Sequence, residues 1–308
     1  MPLPEEFHQL AREVNNWGRW GDDDEIGTLN LVTDEVVRDA ASLIRTGKRF
    51  PLGVGLSDRS PQIGNIPGRV NPTRTMTAIN EPALGDPSLY CWSEDVVFMS
   101  LQAATHWDAL AHVSYDGRIY NDHGASSVDA TGARRCGIDK VRTLVSRGVL
   151  LDVARARGVE QLAAGDVVTA QDLDAAVEMA GLAVQPGDVV LIRTGWIRHY
   201  LGGDRRSYAL GAPGPGMQTV RWFREHDVAA VATDTLAFEV FPLERDDVVM
   251  PVHLLDLVEI GLTQGQNFDL EQLADDCADD GVYAFFLEAS PEPFVRGLGS
   301  PVNPVAIK

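Results

Sequence analysis

The sequence predicts an α+β fold, and three observations carry that prediction. Short apolar runs bounded by turn residues recur along the chain, as buried strands do. Helical segments lie between them without the regular spacing of βαβ units. Finally, 308 residues at 44% hydrophobic content can bury a large core. We expect one domain over 1–308, with an N-terminal arm at about 1–32. Trp17 and Trp20 make that arm too apolar to hang free, so it should pack on its own core or on a second subunit.

Thr33-Asp-Glu predicts a helix start, running to about Thr46 and ended by Gly47. Residues 50–95 are rich in Pro and Gly and read as loops with short strands. Val96–Leu101, Gly148–Asp152, Asp188–Arg193, Val228–Thr233 and Val282–Leu287 read as buried strands. Thr169-Ala-Gln-Asp172 resembles a capping box opening a helix to about Ala180. Met217–His226 and Leu270–Cys277 also read as helical, and an apolar helix begins at His253. Arg193 ends a buried strand and needs a carboxylate partner, for which Asp234 and Glu239 are the choices.

Composition excludes several functions. A net charge of −19 makes nucleic acid and anionic membranes poor partners, because phosphate binding needs a basic surface. No apolar run reaches the ~20 residues that cross a bilayer. The N-terminus lacks the profile of a secretory signal. Cys91, Cys136 and Cys277 are odd in number, far apart and outside any CxxC motif, which predicts buried thiols in a reducing cytoplasm. A Gly-x-Ser-x-Gly elbow is also missing, so a covalent serine mechanism has no support.

The chemistry concentrates in Gln102-Ala-Ala-Thr105-His106-Trp-Asp108-Ala-Leu-Ala-His112, which holds two of the seven histidines around one aspartate. Imidazole nitrogen and carboxylate oxygen are what a divalent metal wants, and a nearby His can move protons near neutral pH. A straight strand would hold Gln102 and His106 roughly 13 Å apart, so convergence requires a bend near Ala103-Ala104. The same residues also suit a strand running into a turn with a satisfied His and a capping Asp.

This stretch resembles the His-x-Gly-Thr-His-x-Asp-x-Pro-x-His signature of the metal-dependent cyclase/hydrolase family, which includes bacterial kynurenine formamidases, isatin hydrolases and dienelactone hydrolases. Thr105, His106, Asp108 and His112 match, while Gln102, Ala104 and Leu110 replace the first His, the Gly and the Pro. Further similarity lies in Gly187–Trp196, Thr233–Glu239, Pro251-Val-His253 and Gly299–Pro304. The resemblance implies a central, mostly antiparallel, β-barrel-like sheet with flanking helices, in a swivelling β/β/α arrangement. It also implies His106 and Asp108 as metal ligands, with Gln102 as a further one, and His112 as general base and acid. His253 and Gln266, the latter where a Glu belongs, would form a second metal position or touch substrate, and His123 follows closely enough to line the pocket.

An amide oxygen is a neutral and weak ligand, so these departures predict one divalent ion, manganese or zinc, rather than a tight pair. The expected activity is hydrolysis of a small amide, cyclic imide or lactone in a homo-oligomer, with a small-molecule substrate as the partner. The alternatives are a cyclase or dehydratase acting on a secondary metabolite, and a metal-free ligand-binding protein.

Overall fold

The computed structural model describes residues 2–308 and shows a mixed α+β fold built on one curled nine-stranded sheet. Its strands are β1 (Arg49–Pro51), β4 (His106–Asp108), β5 (Val145–Asp152), β6 (Val189–Arg193), β7 (Ala230–Thr233), β8 (Thr263–Gln266), β9 (Ala284–Glu288), β10 (Gly299–Pro301) and β11 (Val305–Ile307). Two further strands, β2 (Thr73–Pro82) and β3 (Cys91–Phe98), form a separate hairpin. The order across the sheet is β1-β11-β9-β5-β6-β7-β8-β4-β10. β5 through β8 run parallel and every other pairing is antiparallel, so the sheet is mostly antiparallel, as expected.

Three of the parallel strands, β5, β6 and β7, are largely buried on both faces and read as apolar runs, whereas β8 is buried but polar, Thr-Gln-Gly-Gln, and was not read as a strand. Strand alternation divides their side chains between two cores. Val190, Ile192 and Val231 face the core that also holds Phe7, Leu10 and Val14 of the N-terminal helix α1 (Glu5–Val14). Val189, Leu191, Ala230 and Ala232 face the other, with Trp107 and Phe268. The arm therefore packs on its own chain, and Trp17 Nε1 donates to the Val258 carbonyl at 2.7 Å.

The helix Ala170–Ala180 opens on the expected capping box, with Thr169 N donating to Asp172 Oδ2 at 2.7 Å. The helix after Thr33 spans only Asp34–Ala41. Ser42 Oγ donates back to the Asp39 carbonyl, a side-chain bond that competes with helix propagation. Arg193 pairs with Asp152 (2.9 Å) and Glu271 (2.8 Å) instead of Asp234 or Glu239. Asp234 accepts from Thr194 and Gly195, and Glu239 is committed to His253.

The largest departure is the hairpin. Val96, Val97 and Phe98 were expected to be buried, yet both faces of the ribbon are exposed, Phe98 to 72%. Cys91 lies in that ribbon and is only half-buried, whereas Cys136 and Cys277 are buried. Among the described residues, no helix is long and apolar enough to cross a membrane.

Candidate active site

The site is built on β4, which lies between β8 and β10. Alternation along this short strand sends Trp107 to the core, where its ring meets Phe268 edge-on and its Nε1 donates to the Ala289 carbonyl. His106 and Asp108, two residues apart, share the opposite face. Gln266 on β8 stands directly across from His106, and Gly299 on β10 across from Asp108. After β4 the chain turns, with His112 N donating to the Ala109 carbonyl, and the His112 ring returns to Asp108. The bend expected near Ala103-Ala104 is held by Asn267, whose Nδ2 donates to the Ala104 carbonyl at 3.0 Å. Asn267 has φ +60°, a conformation Asn tolerates better than most residues, and it turns the chain out of β8.

The polar atoms of this face are unevenly paired. His106 Nδ1 lies 2.7 Å from the Ala104 carbonyl, which can only accept, so Nδ1 carries the proton and Nε2 presents a lone pair. That Nε2 is buried without a partner, 3.6 Å from Asp108 Oδ1. Asp108 Oδ2 accepts from Gln266 Nε2 at 2.9 Å, while Oδ1 has no hydrogen bond. His112 Nε2 lies 3.8 Å from the same Oδ1, and Gln266 Oε1 is another buried acceptor without a partner.

Burial alone would push the Asp108 carboxyl up, but its histidine neighbours, His112 foremost, hold it below the ordinary aspartate value. Burial pulls His112 below the ordinary histidine value, with Asp108 partly opposing. His112 is therefore neutral near pH 7 and able to take a proton. Its side chain is 20% exposed, against 1% for His106 and Asp108, so it is the solvent-facing member of the group.

His253 sits where Pro251–His253 begins a helix that continues as a π-helix over Leu254–Ile260. Glu239, itself buried, accepts from the backbone N–H groups of Val252 and His253 and lies 2.6 Å from His253 Nδ1. Glu239 thus fixes the ring. Sequence reading missed this pairing, since fourteen residues separate the partners. Gln102 lies against Gly299, its amide nitrogen 2.6 Å from where a Cβ there would stand, and its backbone carbonyl accepts from Gln62. It thus lies beside the residue facing Asp108. His123 is not held in this group: its Nε2 meets the Asp24 carbonyl of the N-terminal loop at 3.3 Å.

Two ligand atoms each about 2.1 Å from one ion lie roughly 3.4–3.6 Å apart at tetrahedral to trigonal angles. The bare His106 Nε2 and Asp108 Oδ1 fit that spacing. Among the described residues, no three His, Cys, Asp or Glu side chains form a ligand set. A cation at this place would take His106 Nε2 and Asp108 Oδ1 as donors, with the bare Gln266 Oε1 as an amide oxygen nearby.

The Cyclase family model, described as "Putative cyclase", matches residues 21–240. The chain belongs to the Cyclase family. The solved structure of a novel cyclase superposes with a TM-score of 0.88 at 36% identity, covering 97% of this chain and 99% of that one. Isatin hydrolase A from Labrenzia aggregata, bound to benzyl benzoate, gives 0.60 at 20% identity over 89% and 97% of the two chains. A "predicted metal-dependent hydrolase" from Bacillus stearothermophilus gives 0.53 at 17% identity over 85% and 98%. The last two likenesses show the cyclase fold alone. No curated protein matches the chain.

Proposed function

We propose that this Cyclase-family protein is a metal-dependent hydrolase of a small amide, cyclic imide or lactone. The observation that carries the reading is the pair of bare, buried acceptors on His106 and Asp108, 3.6 Å apart beside a solvent-facing histidine. The isatin hydrolases and metal-dependent hydrolases among its structural neighbours support it. His106 and Asp108 would hold one manganese or zinc ion, with Gln266 or Gln102 supplying an amide oxygen. A divalent cation there polarises a carbonyl and acidifies water.

The chain's own groups do the rest. The Ala104 carbonyl keeps the His106 proton on Nδ1, so that Nε2 stays free to bind. Neutral His112 takes a proton from the attacking water and returns it to the departing nitrogen or oxygen. Asp108, ionised at 3.8 Å, stabilises the imidazolium formed between those events. His253, oriented by Glu239, borders the same group and would contact substrate.

One observation favours a second reading. Gln266 already satisfies one oxygen of Asp108 without any cation, as a metal-free binding protein would require. Incubating the protein with a panel of lactones, cyclic imides and formanilides, with and without chelator, decides between the two. Turnover that chelator abolishes supports the hydrolase. No turnover, or turnover that chelator leaves untouched, contradicts it.

A further inference from the structure

Arg69 is unusual among the arginines of this acidic chain. The others lie in ion pairs, such as Arg147 with Asp188 and Arg193 with Asp152, or are exposed. Arg205, the half-buried exception, donates to the Ser60 and Gln62 carbonyls at 2.8 and 2.6 Å. Among the described residues, Arg69 is the one half-buried arginine with neither an ion pair nor a side-chain hydrogen bond. Partial burial of a guanidinium without an acceptor costs free energy, so such a group calls for a ligand.

Its loop is fastened to the segment that leads into the site. Val70 N donates to Ser100 Oγ at 2.9 Å, and Ser100 N returns a bond to the Val70 carbonyl. Gln62 Nε2 reaches the carbonyls of Gln102 and Ala103, while Asn71 Nδ2 holds the Gln62 carbonyl at 2.8 Å. Arg69 therefore stands at a fixed place beside residues 100–104. Burial lowers its pKa, and Asp108 is the one acid that opposes this, while His112 in turn feels the Arg69 charge. Neither Asp108 nor any other carboxylate among the described residues forms an ion pair with it.

We propose that Arg69 binds a carboxylate carried by the substrate, holding it while the bond to be cleaved lies at His106, Asp108 and His112. This rests on the hydrolase reading and narrows it to acidic amides, imides or lactones. The planar fork of a guanidinium matches a carboxylate in a two-bond arrangement that neither an ester nor an amide can reproduce.

Ligand-observed NMR titration with benzoate and with its neutral counterpart benzamide tests the assignment without turnover. Wild type should bind benzoate about tenfold more tightly than benzamide or better, the scale of a charge-assisted contact. Arg69→Met should erase that preference with benzamide binding unchanged, and Arg69→Lys should retain part of it. Carboxylate bound by a metal alone would survive Arg69→Met, so an unchanged preference in that variant overturns the proposal. Equal binding of the two probes by wild type, or binding of neither, overturns it as well. Chelator-sensitive turnover is read separately, so the hydrolase reading and the Arg69 assignment fail independently.

Discussion

Gln266 donates its side-chain N–H to Asp108 Oδ2 at 2.9 Å, leaving Oδ1 bare between His106 and His112. One neutral amide thus neighbours the only carboxylate on this face of β4. Gln266→Glu would set a second carboxylate against the first, and the two would repel unless a cation lay between them. We predict a lower melting temperature for metal-stripped Gln266→Glu than for stripped wild type. Calorimetric titration should show manganese binding tightened by about tenfold, roughly 1.4 kcal/mol. Unchanged manganese affinity would show that the Gln266 side chain does not face the ion.

Glu239 orients His253 through three contacts, two of them to backbone N–H groups. Glu239→Gln keeps an acceptor but loses the charge that fixes the ring. Losses of this kind typically reduce activity by about 10–100-fold. Steady-state rates alongside circular dichroism should show that loss in a protein that still folds. Full activity would mean that His253 serves only the core.

Behind the site, Gly265 lies across from Trp107, and a Cβ there would stand 2.7–2.8 Å from Trp107, Ala232 and Phe268. Gly265→Ala should therefore destabilise the fold by about 1–3 kcal/mol through overpacking. Denaturant unfolding measures this directly, and a change below experimental error would show that the core yields there.

The parts of the fold legible in sequence are those where burial imposes a pattern. β5, β6 and β7 emerged as apolar runs because both of their faces are largely covered, β9 because its sequence is apolar although alternate residues are only half-buried, and the Thr169 cap because its residues are adjacent. The hairpin was not legible: with both faces exposed, burial places no alternation on its side chains. In the site, His106, Asp108 and His112 lie within seven residues of one another, so one local stretch singled them out, and the family resemblance supplied their roles. Glu239 and Arg69 reach the same place through folding, and local spacing carries no trace of that. Arg193 was paired wrongly for the same reason, since Glu271 lies 78 residues away in sequence.

The exposed ribbon supports a prediction about assembly. Isolated two-stranded ribbons are marginal in water, yet this one shows Ile79, Leu84, Leu89, Val97 and Phe98 to solvent. We predict that the chain self-associates through the β2–β3 hairpin. Light scattering should report an oligomer for wild type and a smaller species for the double variant Ile79→Glu, Phe98→Glu. A monomeric wild type would contradict this.

The central claim is that His106 holds a metal while His112 moves protons, and metal analysis of the two alanine variants tests it most directly. Wild type purified without chelator or a histidine tag should carry close to one divalent ion per chain. His106→Ala should lose both the ion and turnover. His112→Ala should keep the ion and the fold while kcat falls by about 10²–10⁴-fold, the usual size of a general acid–base contribution. Full activity in metal-stripped wild type, or an empty site in His112→Ala, would contradict that division of labour.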